Sequence, residues 1–421
     1  MNVLVLGAGA VGTVSALKFK ELATLDQLVV ADAVSARASL LADRLNDPRV
    51  RSLQLDAGDR AAVASALRAT GTTILLNAAL PATNMAVMGA CLDAGCHYID
   101  MASAGTDNDG LPKMEDQFAL DSAFRDRGLF ALLGMGADPG STNVYAAYAA
   151  KHLLDEITEI RVRDGDNSIC QGHDGFIAAF SPWVFIDECL CKAVSYREGR
   201  FHLEPPLSGF EPFDFPELGL LNCYYVDHEE AKTLPRFFPQ ADVIDFKLCM
   251  DDVTYQTLKV MHQLGMSRTD QVRVGEVNVA PRDVVVSLLP QPGELAGRMR
   301  GKTCVGTLVK GRKNGQERAY YIYNIADHEM AFAELGVQAT AYQTGIPPVI
   351  AASLISDGTW SGAGVFSPEQ LDPDPFLARL SAMGMPWQVR DDSERTRDTT
   401  PPSRAPSMDP SARPFRPFVA A

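Results

Sequence analysis

The chain has 421 residues, 46% of them hydrophobic and 22% charged, with a formal net charge of −15. That length exceeds one ordinary domain and provides for about two, and the acidic balance excludes a nucleic-acid partner, which needs clustered Lys and Arg. No apolar run reaches the roughly 20 residues of a membrane span, and the start MNVLVLGAGAVG lacks the basic region and cleavage site of a secretory signal, so a cytoplasmic protein without membrane contact is expected.

In chain order, apolar runs at Val3–Leu6, Leu28–Ala31, Ser52–Leu55, Ile74–Asn77, Tyr98–Asp100 and Phe130–Leu133 read as strands. Segments such as Ala61–Ala69 and Ala86–Ala94 read as the helices between them. Strands alternating with helices over short connections predict an α/β fold, with a Rossmann-type doubly wound parallel sheet over residues 1–150. From about Ile157 the runs become longer and irregular, with Pro-rich connections such as Leu203–Pro216, which predicts a second α+β substrate or dimerisation domain over 151–338. A helical pattern returns at Ala339–Leu354, and residues 339–390 are expected to pack back on the first domain. After Trp387 the chain is rich in Ser, Pro, Arg and Asp, and 391–421 reads as a disordered tail. The eight cysteines are scattered, with no C-x-x-C pair and no zinc-like spacing, so reduced thiols and no structural metal are expected.

The run Val3-Leu-Val-Leu-Gly7-Ala-Gly9-Ala10-Val11-Gly12 is a buried strand leading into G-x-G-x-x-G and then an apolar helix. Gly7 permits the tight turn, Gly9 lets the backbone approach a pyrophosphate, and Gly12 allows close packing of helix on strand, with helix N–H groups facing the phosphates. The second strand ends in Asp32, where an acid accepts hydrogen bonds from the adenosine ribose and repels a 2′-phosphate, favouring NADH over NADPH. Arg37 nearby works in the other direction, and Asp32 can instead cap the next helix. Asp56 at the end of the third strand is a candidate for the adenine amino group, while Asn77-Ala78-Ala79 and Pro81, after the fourth, lie where the nicotinamide half passes. Ordinary turn chemistry is the alternative for each.

The fifth and sixth strands end in Tyr98-Ile-Asp100 and Gly134-Met-Gly136-Ala-Asp138-Pro139-Gly140. This G-x-x-P-G turn resembles that of the saccharopine dehydrogenase superfamily. Further stretches, Ser141-Thr-Asn-Val-Tyr, Tyr320-Tyr-Ile-Tyr-Asn-Ile-Ala-Asp327-His328-Glu329, Tyr342-Gln-Thr344-Gly345-Ile-Pro347 and Gly364-Val-Phe-Ser-Pro, resemble its carboxynorspermidine/carboxyspermidine dehydrogenase branch over about residues 1–390. The resemblance implies reductive condensation of L-aspartate β-semialdehyde with putrescine or 1,3-diaminopropane, NADPH as the usual cofactor, and a homodimer. Asp32 departs from that cofactor expectation.

Such chemistry needs a group that moves protons while a carbinolamine loses water, and charges that hold both substrates. Asp100 and Asp138 end strands at the edge where ligands of open α/β sheets lie, and they are the first catalytic candidates. His173, in Gly172-His173-Asp174-Gly175, is the third, because an imidazole titrates near neutrality. Asp174 is a candidate for a cationic amine, Asp327 and His328 form a second polar turn, and Lys302 or Arg298 is available for a substrate carboxylate. Each has a plainer reading as a loop, cap or surface residue. Two other functions remain open: oxidation of a single amino acid, as in saccharopine or lysine dehydrogenases, and a catalytically silent NAD(P)-binding protein.

Overall fold

Six runs in the first third pair in parallel, and all but the edge strand Val50–Gln54 are largely buried, because strands covered by helices on both faces read as continuous apolar sequence. In the computed structural model, which describes residues 1–103, 114–173 and 175–395, they are β1 (Asn2–Leu6), β2 (Gln27–Asp32), β3 (Val50–Gln54), β4 (Ile74–Asn77), β5 (His97–Asp100) and β6 (Phe130–Leu132). Helices α1 (Ala10–Glu21), α2 (Ser35–Leu45), α3 (Arg60–Thr70) and α4 (Asn84–Ala94) connect the first five. The strand order is 6-5-4-1-2-3, with a seventh strand on the free edge of β6. That order reverses direction beside β1, which opens a crevice at the carboxyl ends of β1 and β4.

Helix α5 (Ser141–Tyr148) leads into a second, nine-stranded mixed sheet. Its members are β7 (Glu156–Asp166), β8 (Ala193–Arg197), β9 (Arg200–Glu204), β10 (Glu211–Phe215), β11 (Gly219–Tyr225), β12 (Val243–Cys249), β13 (Lys302–Lys313), β14 (Gln316–Asp327) and, after the seventh strand of the first sheet, β16 (Trp387–Asp391). The backbone of this sheet runs 9-8-12-7-13-14-16, and the hairpin β10–β11 is attached to β12. Helix α6 (Glu230–Phe237) lies between β11 and β12 in sequence.

The last part of the chain ties the two sheets together. Helix α7 (Ala339–Gly345) packs on α1 so closely that a Cβ on Gly345 would lie 2.6 Å from Val14, and Ser15 Oγ donates to the Gly345 carbonyl at 2.8 Å. Helix α8 (Pro347–Ser356) is buried along almost its whole length. Strand β15 (Gly364–Phe366) then pairs in parallel with β6 as the seventh strand of the first sheet, and β16 joins the second through β14. The end of the segment 339–390 thus joins the second sheet, with Asp391 as the last residue of β16; most of the segment read as a tail, from 396 onward, lies outside the described residues. All eight cysteines are free thiols. Among the described residues no helix is long and apolar enough to cross a membrane.

Candidate active site

The turn between β1 and α1 is dictated by its glycines. Gly7 has φ of 111°, and a Cβ on it would sit 2.5 Å from the Ala78 carbonyl oxygen; on Gly12 a Cβ would sit 1.9 Å from the Gly7 carbonyl oxygen. At Gly9 nothing lies within 4 Å, so backbone and solvent meet there. Gly9 is also the N-cap of α1 and supplies no side-chain cap, leaving the first N–H groups of the helix, at Ala10, Val11 and Gly12, without intrahelical partners. An open glycine beside a positive helix end is a cradle that suits a dinucleotide pyrophosphate.

Asp32 stands at the end of β2, its Oδ2 accepting from the Ala8 N–H at 2.9 Å and its Oδ1 from the Val34 N–H at 2.8 Å. The carboxylate is thereby fixed to the glycine turn and keeps lone pairs for further donors. Across the crevice, Asn77 donates to Asn84 Oδ1 at 2.9 Å and accepts from the Ala79 N–H at 3.2 Å. These bonds hold Ala78 and Ala79 in a defined turn before Pro81, which opens a short 3-10 turn, Pro81–Thr83. Asp56 is exposed and accepts from the Gly58 N–H at 2.8 Å.

Beyond this crevice lies a cavity of about 840 Å³ between the two sheets. Its floor follows from strand alternation, since side chains two apart share a face. On β7, Asp164 and Asp166 face the cavity; in register beside them on β13 stand Val305 and Thr303, which also line it. Ala137 and Asp138, from the loop after β6, form one wall, Thr340, Gln343 and Thr344 of α7 another, and the loop carrying His173 a third. Asp251 and Asp252 at the start of the helix Asp252–Gln263 complete five aspartates, and no lysine or arginine lies among the described residues that line the cavity.

Asp138 and Asp164 both line the cavity, and burial pushes both carboxyls upward, each also feeling nearby acids, Asp164 at Asp138 and Asp166 at Asp164. Two neighbouring carboxyls partly withdrawn from water favour sharing a proton over ionising together. Behind them His228 lies flat on Phe246, ring centroids 3.8 Å apart, with Nδ1 2.6 Å from Glu230 Oε2. Burial opposes the charge on this imidazole, but Glu230, Glu229 and Asp138 together carry it well above its usual range. Thr142 Oγ1 donates to Glu230 Oε1 at 2.7 Å, and the Ser103 N–H to Glu229 Oε1 at 2.5 Å. Donor atoms of His228, Glu229 and Glu230 lie within 4.8 Å of one another, each of the three already engaged within the protein.

Of the residues singled out from the sequence, the cavity brings together Asp138 and His173; His173 Nε2 is 3.2 Å from the Phe176 carbonyl oxygen. Asp100 lies elsewhere, buried, with Oδ1 accepting from the Gly134 N–H at 2.6 Å and Oδ2 from Tyr98 and Gln117 at 2.8 and 2.7 Å. Burial raises this carboxyl to about 7, yet all three donors are internal, so it fastens β5 to the Gly134 turn. Asp327 caps the helix His328–Leu335 through the Glu329 and Met330 N–H groups. His328 is buried behind the cavity wall: Nδ1 accepts from the Ala339 N–H at 3.1 Å, and Nε2 is 2.6 Å from Ser168 Oγ. Lys302 pairs with Glu217 at 2.7 Å on the surface, while Arg298 donates to the Gln171 carbonyl at 3.2 Å. Asp174 lies outside the described residues.

Asp164, Asp166, His228, Glu230 and Gln343 were not singled out from the sequence. The alternation Asp164-Gly165-Asp166 in a strand was the available signal for the first two; the others depend on packing between distant elements.

The saccharopine dehydrogenase NADP-binding domain family matches residues 3–132, and the saccharopine dehydrogenase C-terminal domain family matches residues 136–385. A carboxyaminopropylagmatine dehydrogenase from Synechocystis sp. is 35% identical over 388 residues, covering 92% of this chain and 96% of the relative. A carboxynorspermidine synthase from Vibrio cholerae is 32% identical over 408 residues, covering 92% and 97%. Among solved structures, the homospermidine synthase of Legionella pneumophila in complex with NAD has a TM-score of 0.69 at 15% identity, covering 92% of this chain and 91% of that one. Apo saccharopine dehydrogenase (L-Glu forming) from Saccharomyces cerevisiae has a TM-score of 0.69 at 14% identity, covering 93% and 99%. At these identities the two structures speak to the fold alone.

Proposed function

This chain belongs to the saccharopine dehydrogenase family and is an NAD(P)-dependent dehydrogenase, and from that membership we propose that it joins a polycationic amine to a carboxylated aldehyde such as L-aspartate β-semialdehyde, giving a secondary amine. The observation that carries this reading is the cavity with five aspartates and no cation among its described lining residues. Such a lining attracts a di- or polyamine and gives its distal positive charges partners away from the reacting nitrogen. The names of the relatives from Synechocystis and Vibrio contain agmatine and norspermidine skeletons, which are polycations of this kind.

In the proposed reaction the Asp138–Asp164 pair moves the proton. A carboxylate oxygen of the pair takes a proton from the substrate ammonium, which frees the nitrogen lone pair to form the C–N bond at the aldehyde carbon. The same pair returns a proton to the carbinolamine hydroxyl, whose C–O bond breaks as water leaves and an iminium forms. When bound, the dinucleotide supplies the hydride that reduces the iminium carbon. His228, charged and held by Glu230, stabilises the ionised form of the pair before the first transfer and after the second. For the cofactor, the fixed carboxylate of Asp32 supports NADH, since a 2′-phosphate would meet a negative charge there. Arg37, exposed on α2, is the residue that would serve NADPH.

The test is cofactor oxidation by the purified protein with aspartate semialdehyde and putrescine, 1,3-diaminopropane or agmatine, with NADH and NADPH in parallel. Consumption is expected only when amine and aldehyde are both present, with NADH the better donor. Equal consumption with aldehyde alone would sink the reading; faster turnover with NADPH would sink the cofactor assignment.

A further inference from the structure

Gln343 is 1% exposed and lines the cavity from α7. Its Oε1 receives the Thr303 hydroxyl at 2.5 Å, which directs its other amide atom away from β13. That atom, Nε2, is buried and has no hydrogen-bond partner. Buried amide donors are almost always paired, and an unpaired one in the wall of a cavity awaits an acceptor from a ligand. The acceptor is unlike the amine already assigned to the aspartates, because an ammonium group has only protons to offer.

A carboxylate entering this cavity meets no lysine or arginine among the described lining residues. Of the two basic residues expected to receive it, Lys302 is on the surface with Glu217, and Arg298, which is not among the lining residues, donates to the Gln171 carbonyl at 3.2 Å. Neutral donors must therefore hold the anion, and Gln343 is a buried donor left open for it. Its position suits that role, because α7 packs on α1, next to the glycine turn, and the adjoining Thr344 methyl faces Gly136, two residues before Asp138, at 3.1 Å from where a Gly136 Cβ would stand.

We propose that Gln343 is a specificity-determining residue whose side-chain amide donates to a carboxylate oxygen of the carbonyl substrate, which selects carboxylated aldehydes in a cavity otherwise built for cations. The inference rests on the condensation reading above. A neutral donor is a fitting choice here: it binds the anion, while an arginine would repel the amine a short distance away.

The experiment measures KM for aspartate semialdehyde, KM for the amine and Kd for the reduced cofactor in the wild type, Gln343→Met and Gln343→Glu. Gln343→Met keeps the volume and removes the donor. Its KM for the aldehyde is expected to rise about tenfold, the effect of one hydrogen bond to a charged group, with cofactor Kd and amine KM within about twofold. Gln343→Glu, measured at a pH high enough to ionise it, places a negative charge against the carboxylate and is expected to raise the aldehyde KM further as pH rises. Unchanged cofactor Kd in both variants reports an intact fold. The inference is overturned if Gln343→Met retains the wild-type aldehyde KM, or if the amine KM moves in place of the aldehyde KM. Failure of the wild type to couple any amine to aspartate semialdehyde would remove the condensation reading itself, a distinct result.

Discussion

The chemistry of the candidate site depends on what burial does to individual carboxyls. Asp138 and Asp164 are pushed upward because leaving water disfavours their charge. Their native state therefore binds protons more tightly than the unfolded chain does, so their contribution to stability is greatest below the ordinary carboxylate pKa and declines as pH rises through the ordinary carboxylate range toward the raised native pKa values. Asparagine at 164 does not titrate and keeps the volume. Asp164→Asn is expected to raise Tm relative to the wild type, more at pH 8 than at pH 5, while turnover is lost. Paired melts at the two pH values check this, and a Tm difference that shrinks as pH rises would contradict the assignment of a shared proton. Asp100 shows the opposite use of a buried acid. It stood out in the sequence because it ends a strand at the ligand edge, but the three donors that surround it come from Gly134, Tyr98 and Gln117. Position along a strand reveals which residues reach the edge; it does not reveal which way a carboxylate turns when internal donors compete for it.

Among the elements, the β1–α1 turn separates two kinds of glycine, and each predicts its own outcome. A methyl on Gly12 would collide with the Gly7 carbonyl, whereas Gly9 has open space and a φ of −76° that alanine adopts without strain. Gly12→Ala is expected to destabilise the fold. Gly9→Ala is expected to leave stability within about 0.5 kcal/mol and to weaken dinucleotide binding about tenfold or more, because the methyl enters the path of the pyrophosphate. Denaturant unfolding and a cofactor fluorescence titration separate the two effects, and tight binding by Gly9→Ala would remove this turn from the dinucleotide site. The same turn explains why the first sheet was legible. Its inner strands β1, β2, β4 and β5 are short, largely apolar and joined through local helices, so there sequence pattern and structure coincide. The second sheet was harder to read, because the face formed by Asp164 and Asp166 gains its meaning only from the register that sets Val305 and Thr303 beside them. Trp387–Asp391 was equally hard to read as a strand: Val389 is its one aliphatic residue, and it forms a strand because β14 offers an edge to pair with.

Across the whole molecule, the cavity exists because chain segments far apart in sequence close over it. Helix α5 carries Thr142 to Glu230 of α6 at 2.7 Å, and Asn143 to Glu369 at 3.0 Å; α7 locks onto α1; and β15 completes the first sheet from the far end of the chain. The glycine turn and the acidic cavity are thus held against each other by packing, the arrangement on which the proposed condensation depends. The most direct test of the central claim follows the hydride. Aspartate semialdehyde, putrescine and reduced cofactor deuterated at C4 of the nicotinamide are supplied together, and the products are resolved by mass spectrometry. One deuterium on the carbon of a new secondary amine that contains both substrates is the predicted result. Deuterium in the alcohol of the reduced aldehyde, with no product joining the two substrates, would contradict the account.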